Sequence, residues 1–374
     1  MSEELETSSG PEPDRKIPYQ PALDGFRAIA VCLVLLDHFF LVPLGYLGVK
    51  AFFVLSGYLI TLILLSTTSS PFPTFARVFY QRRAMRIFPL YYSYIAVLGV
   101  TYLLLHKPEG MAGNWPYLVS YTANFAPLDP QWRASAFFAH LWSLATEEQF
   151  YIVWPPVVWL MARTGGVRRV GAAAAVATVL LPVSHVLLVD AVDIDPVAAQ
   201  WLPTRHFDAL TGGALLACIP IRQIPHALRW TWGMALVVGS ALVVAALVNT
   251  APASAHFEPL GPLDAGLYHV SSTPLGNTGL NLVFIAAVVT CVLHQPTARA
   301  LGRPVLVWMG KVSYGTYVLH YPLGILWQRA GWTHSLGFPF YLLAAFALAG
   351  ASYYLLERPF LRMKRAYPTG SGSR

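Results

Sequence analysis

The chain has 374 residues, of which 56% are hydrophobic and only 11% are charged, and its mean hydropathy is +0.52. Soluble domains carry about 25% charged residues, so this composition excludes a soluble enzyme, a soluble DNA-binding protein and a disordered chain. The formal net charge of +7 could indicate a nucleic-acid partner, but the positions of the basic residues indicate a membrane topology instead.

Ten apolar segments follow one another along the chain, and a membrane-spanning helix needs about 20 mainly apolar residues. The predicted spans are 24–43, 46–65, 88–106, 138–160, 170–189, 206–221, 230–249, 277–294, 305–327 and 337–356. We therefore expect an all-α polytopic membrane protein of about ten transmembrane helices. A polar tail at 1–20 and a basic tail at 361–374 would flank a transmembrane domain at 21–360.

The loops between these segments differ in charge, and lysine and arginine mark the cytoplasmic side of a membrane protein. With the N-terminus in the cytoplasm, eighteen basic residues fall in cytoplasmic segments. Only Lys107, Arg133 and Arg329 fall in the opposite loops. The sequence therefore predicts that both termini are cytoplasmic, that the lipid bilayer is a partner and that nucleic acid is not.

The first span contains ionisable side chains, which are costly inside a membrane and usually mark a function. Arg27 and His38 are eleven residues apart, so they lie within about 20° of each other around a helix, and Asp24 lies on the same face. This stripe predicts a lined cavity. Alternatively, Asp24 and Arg27 only pair with each other at the membrane boundary.

The fourth span carries a second polar stripe. His140, Ser143, Glu147 and Tyr151 follow a spacing that places them on one helical face, and we expect them to line the same cavity. Two simpler interpretations stay open. Glu147 would make only a buried hydrogen bond, and Ser143 would bond back to its own helix.

The ninth span repeats the arrangement with Tyr317 and His320. Histidines thus occur in four predicted spans, as His38, His140, His206 and His320. They indicate either a proton-handling site or haem ligation by histidines on facing helices. A single histidine in a span is also often a hydrogen-bonding group between helices.

Arginines collect at the cytoplasmic end of the third span. Arg83 and Arg86 lie three residues apart on one face, and guanidinium groups suit phosphate, which predicts a phosphorylated cytoplasmic ligand. An ordinary positively charged loop is the alternative. Arg205 and Asp208, near the start of the sixth span, either pair locally or line the cavity. The three cysteines have no metal-ligand spacing, and we expect no metal site.

Six motifs occur in order along the chain: LDGFRAIAVCLVLLDHF, GVKAFFVLSGYLIT, RRAMRIFPLYY, HLWSLATEEQFYIVWP, SYGTYVLHYPL and ERPF. Together they resemble the acyltransferase family 3 of integral membrane O-acyltransferases, over roughly residues 22–360. The resemblance implies a ten-span enzyme of the bacterial cytoplasmic membrane without a tightly bound cofactor. It would transfer an acyl group, commonly acetyl, from cytoplasmic acyl-CoA to a sugar hydroxyl of an envelope glycan or a glycosylated small molecule.

The resemblance also extends to individual residues of the family's motifs. The family's arginine–ten residues–histidine motif falls on Arg27 and His38, its RxxR motif on Arg83 and Arg86, and its W-S-x-x-x-E-x-Q-F signature on Trp142, Ser143, Glu147 and Gln149. Two positions depart from the pattern, because Lys50 stands where many relatives have an acid and Asp37 where an aromatic or small residue is common. Some relatives carry an extra hydrolase-like domain, so we expect this chain to act alone or with a separate partner.

These motifs imply a mechanism in which His38 is the general base, since an imidazole with a pKa of about 6.5 suits that task. Arg27 would stabilise the oxyanion or hold the pantetheine end, and Glu147 would orient a histidine or relay its proton. Arg83 and Arg86 would bind CoA phosphates. An acyl-enzyme on Ser143 or His38 is the second route.

Besides these, the residues predicted to bind the substrate or to line its cavity are Asp24, Ser143, His140, Tyr151, Arg205, Tyr317 and His320. A proton-coupled transporter of a glycan or small metabolite is the alternative function, and a haem-binding redox protein is the third. The longest predicted outer loops, 107–136 and 250–276, are short. Short loops favour a lipid-linked glycan or a small glycosylated acceptor over a long polymer.

Overall fold

The computed structural model describes residues 18–39, 44–107, 110–129, 132–133, 135, 137–224, 230–249, 273–332 and 337–363. Over these residues the chain is helical and contains no β-strand. Most of the predicted N-terminal tail, most of the loop at 250–276 and the C-terminal tail from residue 364 lie outside the described residues.

The principal helices are α1 (Pro21–His38), α2 (Gly45–Leu65), α3 (Phe72–Leu105), α4 (Met111–Val119), α5 (Trp142–Val192), α6 (Phe207–Ala217), α7 (Trp230–Asn249), α8 (Pro274–Leu293), α9 (Pro304–Arg329) and α10 (Gly337–Ser352). Short α-helices occur at Pro196–Ala199, Gln295–Leu301 and Arg358–Met363. Single 3₁₀ turns occur at Ala123–Leu128, Ala139–Leu141, Pro203–Arg205 and Ile221–Gln223, and a π-helical turn at Tyr353–Glu357.

The long helix α5 is broken in its middle. Gly165 and Gly166 leave the helical conformation, and Gly166 adopts a φ of +65°, which glycine tolerates because it lacks a Cβ. The predicted fourth and fifth spans fall on the two sides of this break. Each of the ten predicted segments therefore coincides with a helix or with one half of α5.

Among the residues that the structure describes, five helical stretches are long and apolar enough to cross a membrane: Gly45–Leu65, Phe72–Leu105, Ala139–Val192, Pro274–Leu293 and Gly337–Met363. They establish an integral membrane protein. Helix α1 is not among them because its eighteen residues include three charged ones, Asp24, Arg27 and Asp37. The count of ten spans and the cytoplasmic position of both termini stay predictions.

Glycines allow α2 and α6 to pack backbone against backbone. A Cβ added to Gly57 would collide with the carbonyl of Leu210, and one added to Gly213 would collide with the carbonyl of Val54. Close approach through small residues is the usual way in which membrane helices associate, because lipid provides no hydrophobic drive between helices. These contacts hold α2 beside α6, with α1 and α5 also packed on α2.

A buried ion pair joins the same helices to α8. The Lys50 ammonium lies 3.2 Å from Asp208, and both side chains are fully buried. The other oxygen of Asp208 accepts hydrogen bonds from Asn277 at 2.5 Å and Asn281 at 2.6 Å. Lys50, one of the two positions that depart from the resemblance, therefore pairs with an acid 158 residues further along the chain.

Candidate active site

Helices α1, α2, α3, α5 and α9 enclose a cavity of about 100 Å³ that opens to the surface. Its polar lining consists of Arg27, Ser56, Arg83, Arg86, Ser143, Glu147, Glu148, Tyr151, Ser313, Tyr314 and Tyr317. Seven of these residues were predicted from the sequence as site residues, and they come from four separate motifs. The cavity brings them together.

Three arginines give one part of the cavity its positive charge. Arg27 pairs with Asp24 at 3.0 Å, and the hydroxyl of Tyr19 donates to the other oxygen of Asp24 at 2.6 Å. The guanidinium of Arg83 lies 4.1 Å from the ring centre of Tyr151, in a cation–π contact. Arg27 thus pairs with Asp24 and also lines the cavity, whereas Asp24 is not among the lining residues.

Glu147 joins α5 to α2. Its carboxylate accepts hydrogen bonds from the hydroxyls of Ser56 and Tyr151. Among the residues that the structure describes, its hydrogen-bond partners are these two hydroxyls and include no histidine. The prediction that Glu147 orients a histidine is therefore wrong as a direct contact. The simpler expectation of a buried hydrogen bond is the one that the geometry supports.

A histidine cluster, formed by His38, His140 and His320, lies beyond the cavity. Nδ1 of His38 is 2.8 Å from Nε2 of His320, and the rings of His140 and His320 have centres 5.3 Å apart. The ring of Tyr321 meets the ring of His38 edge-on, with centres 4.4 Å apart, and stacks on the ring of His140, with centres 5.1 Å apart. Three of the four span histidines thus meet, although they come from three motifs.

The fourth histidine lies elsewhere. His206 bonds to the carbonyl of Gln200 at 2.7 Å and packs against Trp142. Haem ligation between facing histidines does not fit the cluster, because the direct contact of His38 with His320 leaves no room for an ion between their nitrogens. Within the described ranges, no set of three metal-ligating side chains forms a site.

Arg27 and His38 share a face of α1 but lie at different heights. Eleven residues of helix separate them by about 16 Å along the axis. Arg27 lines the cavity, whereas none of the three clustered histidines does. An oxyanion that forms beside His38 would lie far from Arg27, so the separation disfavours the oxyanion role, which stays a prediction. The alternative role, holding the donor in the cavity, stays open.

Ser143 and Tyr317 line the cavity and also contact the histidine cluster. Their hydroxyl oxygens are 2.6 Å apart, and the Tyr317 hydroxyl donates to the backbone carbonyl of His140 at 2.9 Å. Ser143 lies 3.2 Å from that same carbonyl, which is the back-bonding expected for it. Both residues are buried. They therefore form the boundary between the arginine-lined cavity and the histidines.

Arg205 does not line this cavity. It is buried in the turn Pro203–Arg205, where its carbonyl lies 3.4 Å from the Asn277 amide. The acid three residues later, Asp208, pairs with Lys50 of α2. Arg205 therefore lies outside the cavity that the other motif residues line, and its role in substrate binding stays a prediction.

Several lining residues were not predicted. Ser56 lines the cavity together with Val49, Phe52 and Phe53, which recur at the i, i+3, i+4 and i+7 spacing of one face of α2. That spacing could have identified Ser56. Glu148 also lines the cavity, although it is rotated about 80° from His140 around the helix.

The motif residue Gln149 has a different task. Its amide exchanges hydrogen bonds with the amide of Asn124, at 2.8 and 3.2 Å, and donates to the carbonyl of Tyr121 at 2.9 Å. These bonds hold the turn Ala123–Leu128 against α5. Gln149 thus positions the segment that covers α5 and does not line the cavity.

A family model described as an acyltransferase domain matches residues 20–357, nearly the whole of the region that carries the motifs. The chain belongs to acyltransferase family 3. The six ordered motifs and the cavity that unites five of them are therefore features of a member of this family.

Curated relatives share about three residues in ten with this chain. YrhL of Bacillus subtilis is 31% identical, over 91% of this chain and 55% of the relative. The peptidoglycan O-acetyltransferase OatA of Listeria monocytogenes is 29% identical, over 82% of this chain and 49% of the relative. The O-acetyltransferase OatA of Staphylococcus aureus is 28% identical, over 82% of this chain and 50% of the relative. The chain spans about half the length of these relatives. No solved structure matches it.

Proposed function

We propose that the chain is a membrane O-acyltransferase that moves an acyl group, in the first instance acetyl, from cytoplasmic acyl-CoA to a hydroxyl of a cell-envelope glycan. Membership of acyltransferase family 3 supports the reaction class and disfavours the alternative of a proton-coupled transporter. The names of the OatA relatives support peptidoglycan as the acceptor class. The proposal includes ten spans, cytoplasmic termini, the bacterial cytoplasmic membrane and no tightly bound cofactor.

The donor site of this proposal is the arginine-lined part of the cavity. Arg83 and Arg86 lie one turn apart on α3, and Arg27 approaches from α1. Guanidinium groups donate paired hydrogen bonds that match phosphate oxygens, so the three suit the phosphates of CoA. The pantetheine arm would then extend along α1 toward His38. The separation of Arg27 from His38, about 16 Å, suits an extended arm.

His38 is the base of this proposal because the acceptor can reach it. Its side chain is 25% exposed, whereas His140 and His320 are buried. The imidazole takes the proton of the acceptor hydroxyl while the oxygen attacks the thioester carbonyl. The carbon–sulfur bond breaks, and the proton passes to the departing CoA thiolate. The observation that carries the proposal is this pairing of a cationic cavity with a partly exposed histidine beyond the Ser143–Tyr317 boundary.

Transfer through an acyl-enzyme is a second route for the same reaction. The hydroxyl of Ser143 lies at the boundary that the acyl group must pass, which supports it as a carrier. An acyl-serine would form by attack on the thioester, release CoA, and then yield its acyl group to the acceptor. Trapping an acetylated Ser143 by mass spectrometry after brief reaction with acetyl-CoA would distinguish the two routes.

Turnover of acetyl-CoA tests the proposal. The purified full chain in detergent should release free CoA thiol from acetyl-CoA when peptidoglycan fragments are supplied. The variant His38→Ala should be slower by about 10²- to 10⁴-fold, the usual contribution of a general base. His185→Ala is the matched control, because His185 bonds to Thr204 outside the cluster. Equal rates for wild type and His38→Ala would contradict the role of His38.

A further inference from the structure

His320 lies between His38 and a backbone carbonyl. Its Nδ1 is 2.6 Å from the carbonyl oxygen of Tyr317, and its Nε2 is 2.8 Å from Nδ1 of His38. The side chain is fully buried in α9. Hydrogen bonds thus connect the Tyr317 carbonyl, His320 and His38 in that order, and His38 is partly exposed.

The position of each proton in this chain follows from the carbonyl. A carbonyl oxygen only accepts hydrogen bonds, so Nδ1 of His320 carries a proton and donates it to Tyr317. A neutral imidazole has one N–H, which leaves Nε2 of His320 as an acceptor. Nδ1 of His38 must then be the donor in the contact between the two rings. Nε2 of His38 is consequently the ring nitrogen that carries the lone pair.

The surroundings favour a neutral His320. The ring centre of His320 lies 5.3 Å from that of His140 and 4.9 Å from that of His38. A buried cation between two other imidazoles would be costly. The carboxylate of Asp37 faces His38 and not His320, and its oxygen is 3.9 Å from Nε2 of His38. That distance is too long for a hydrogen bond, so the carboxylate does not fix a proton on Nε2 of His38.

We propose that His320 is a positioning residue that holds His38 in the tautomer with its proton on Nδ1, so that Nε2 faces the acceptor as the base. The inference rests on the proposed function for the role of His38. In serine hydrolases a buried aspartate fixes the tautomer of the catalytic histidine. Here a neutral imidazole, itself fixed by the Tyr317 carbonyl, does so without placing a negative charge in the membrane.

The reaction leaves the chain of hydrogen bonds intact. When Nε2 of His38 takes the acceptor proton, the ring becomes an imidazolium whose Nδ1–H still donates to Nε2 of His320. His320 stays neutral and keeps its bond to Tyr317. When the proton leaves with the CoA thiolate, His38 returns to the same tautomer, so each turnover starts with the lone pair in place.

The tautomer is measured directly by solid-state nitrogen NMR of the full chain in bilayers, with ¹⁵N-labelled histidine and His38→Gln to assign the signals. We expect His38 to be protonated at Nδ1 and bare at Nε2. His140 is an internal reference with the opposite tautomer, because its Nε2 lies 3.1 Å from the Val318 carbonyl. A wild-type His38 protonated at Nε2 would overturn the inference whatever the enzyme activity is.

Two substitutions separate positioning from a general structural effect. His320→Gln keeps an amide oxygen near the place of Nε2, so it should preserve the His38 tautomer and stay within about tenfold of wild-type turnover. His320→Ala removes the acceptor, so it should mix the tautomers and lower kcat by about 10²-fold with the KM for acetyl-CoA unchanged. Unchanged tautomer and kcat in a folded His320→Ala would overturn the inference. If the tautomer responds as expected but His38→Ala keeps full activity, the proposed function fails and the tautomer assignment stands.

Discussion

The hydroxyl oxygens of Ser143 and Tyr317 lie 2.6 Å apart at the boundary between the arginine-lined cavity and the histidine cluster. Each hydroxyl has one proton and both oxygens lie within hydrogen-bond distance of the His140 carbonyl, so one hydroxyl donates to that carbonyl and the other donates to its partner hydroxyl. Helices α5 and α9 are therefore joined at this height by a polar contact that has no spare proton. In the proposed reaction the acyl group crosses the molecule at this boundary.

Tyr317→Phe should weaken the boundary and allow water to reach the thioester. We expect the ratio of two rates, CoA thiol release without acceptor over CoA thiol release with acceptor, to rise by roughly threefold or more. The loss of the buried hydrogen bond should also lower the free energy of unfolding by about 1 kcal/mol. The ratio of the two rates in a thiol assay measures the effect.

Tyr92→Phe is the control for this substitution, because the exposed Tyr92 loses a comparable hydroxyl bond to the carbonyl of Val119. Its two rates should match those of the wild type. An unchanged ratio for Tyr317→Phe, with the variant folded, would show that the Ser143–Tyr317 contact does not exclude water.

Arg83→Ala and Arg86→Ala should each raise the KM for acetyl-CoA by about ten- to a hundredfold, since a hydrogen bond to a charged group contributes about 1.5–3 kcal/mol. Neither should change the kinetics with S-acetyl-pantetheine, which lacks the nucleotide phosphates. Arg77→Ala, on the exposed start of the same helix, is the control. Equal losses with both donors would place the arginines away from the phosphates.

Lys50→Met should destabilise the protein by about 3–5 kcal/mol, because it leaves Asp208 buried without its cation. The double variant Lys50→Met with Asp208→Asn removes both charges and should be more stable than Lys50→Met alone. Thermal unfolding in detergent measures both changes. A double variant no more stable than the single one would mean that the ion pair does not stabilise the contact of α2 with α6.

Gly57→Ala should separate α2 from α6, since the new Cβ would collide with the carbonyl of Leu210. We expect a loss of about 1–3 kcal/mol, typical of overpacking, with lower turnover because α2 carries Ser56 into the cavity. Gly233→Ala is the matched control, because its Cβ would have no neighbour within 4 Å. Equal unfolding temperatures for the two variants would contradict this packing.

Much of the architecture was predictable from the sequence because it depends on local properties. The apolar segments predicted the positions of the helices, since a segment in lipid must satisfy its backbone hydrogen bonds internally. The 3.6-residue period correctly grouped Ser143, Glu147 and Tyr151 on the face of α5 that lines the cavity. The motifs also identified the family that the match over residues 20–357 establishes.

The 3.6-residue period did not predict separations along a helix or contacts between helices. Arg27 and His38 share a face, but their separation along α1 puts them in different parts of the site. Asp208 was considered with Arg205, its neighbour in sequence, yet it pairs with Lys50 across the contact of α2 with α6. Neither outcome can be read from one helix alone.

The sequence by itself thus determined that this is a helical membrane protein of acyltransferase family 3 and which polar side chains each helix presents together. Only the tertiary structure decided that His38 meets His320, 282 residues away, and through which nitrogens. The reason is physical. Helical periodicity is a property of one segment, whereas the contact between two rings depends on how several helices pack, and that packing is set by close contacts such as those at Gly57 and Gly213.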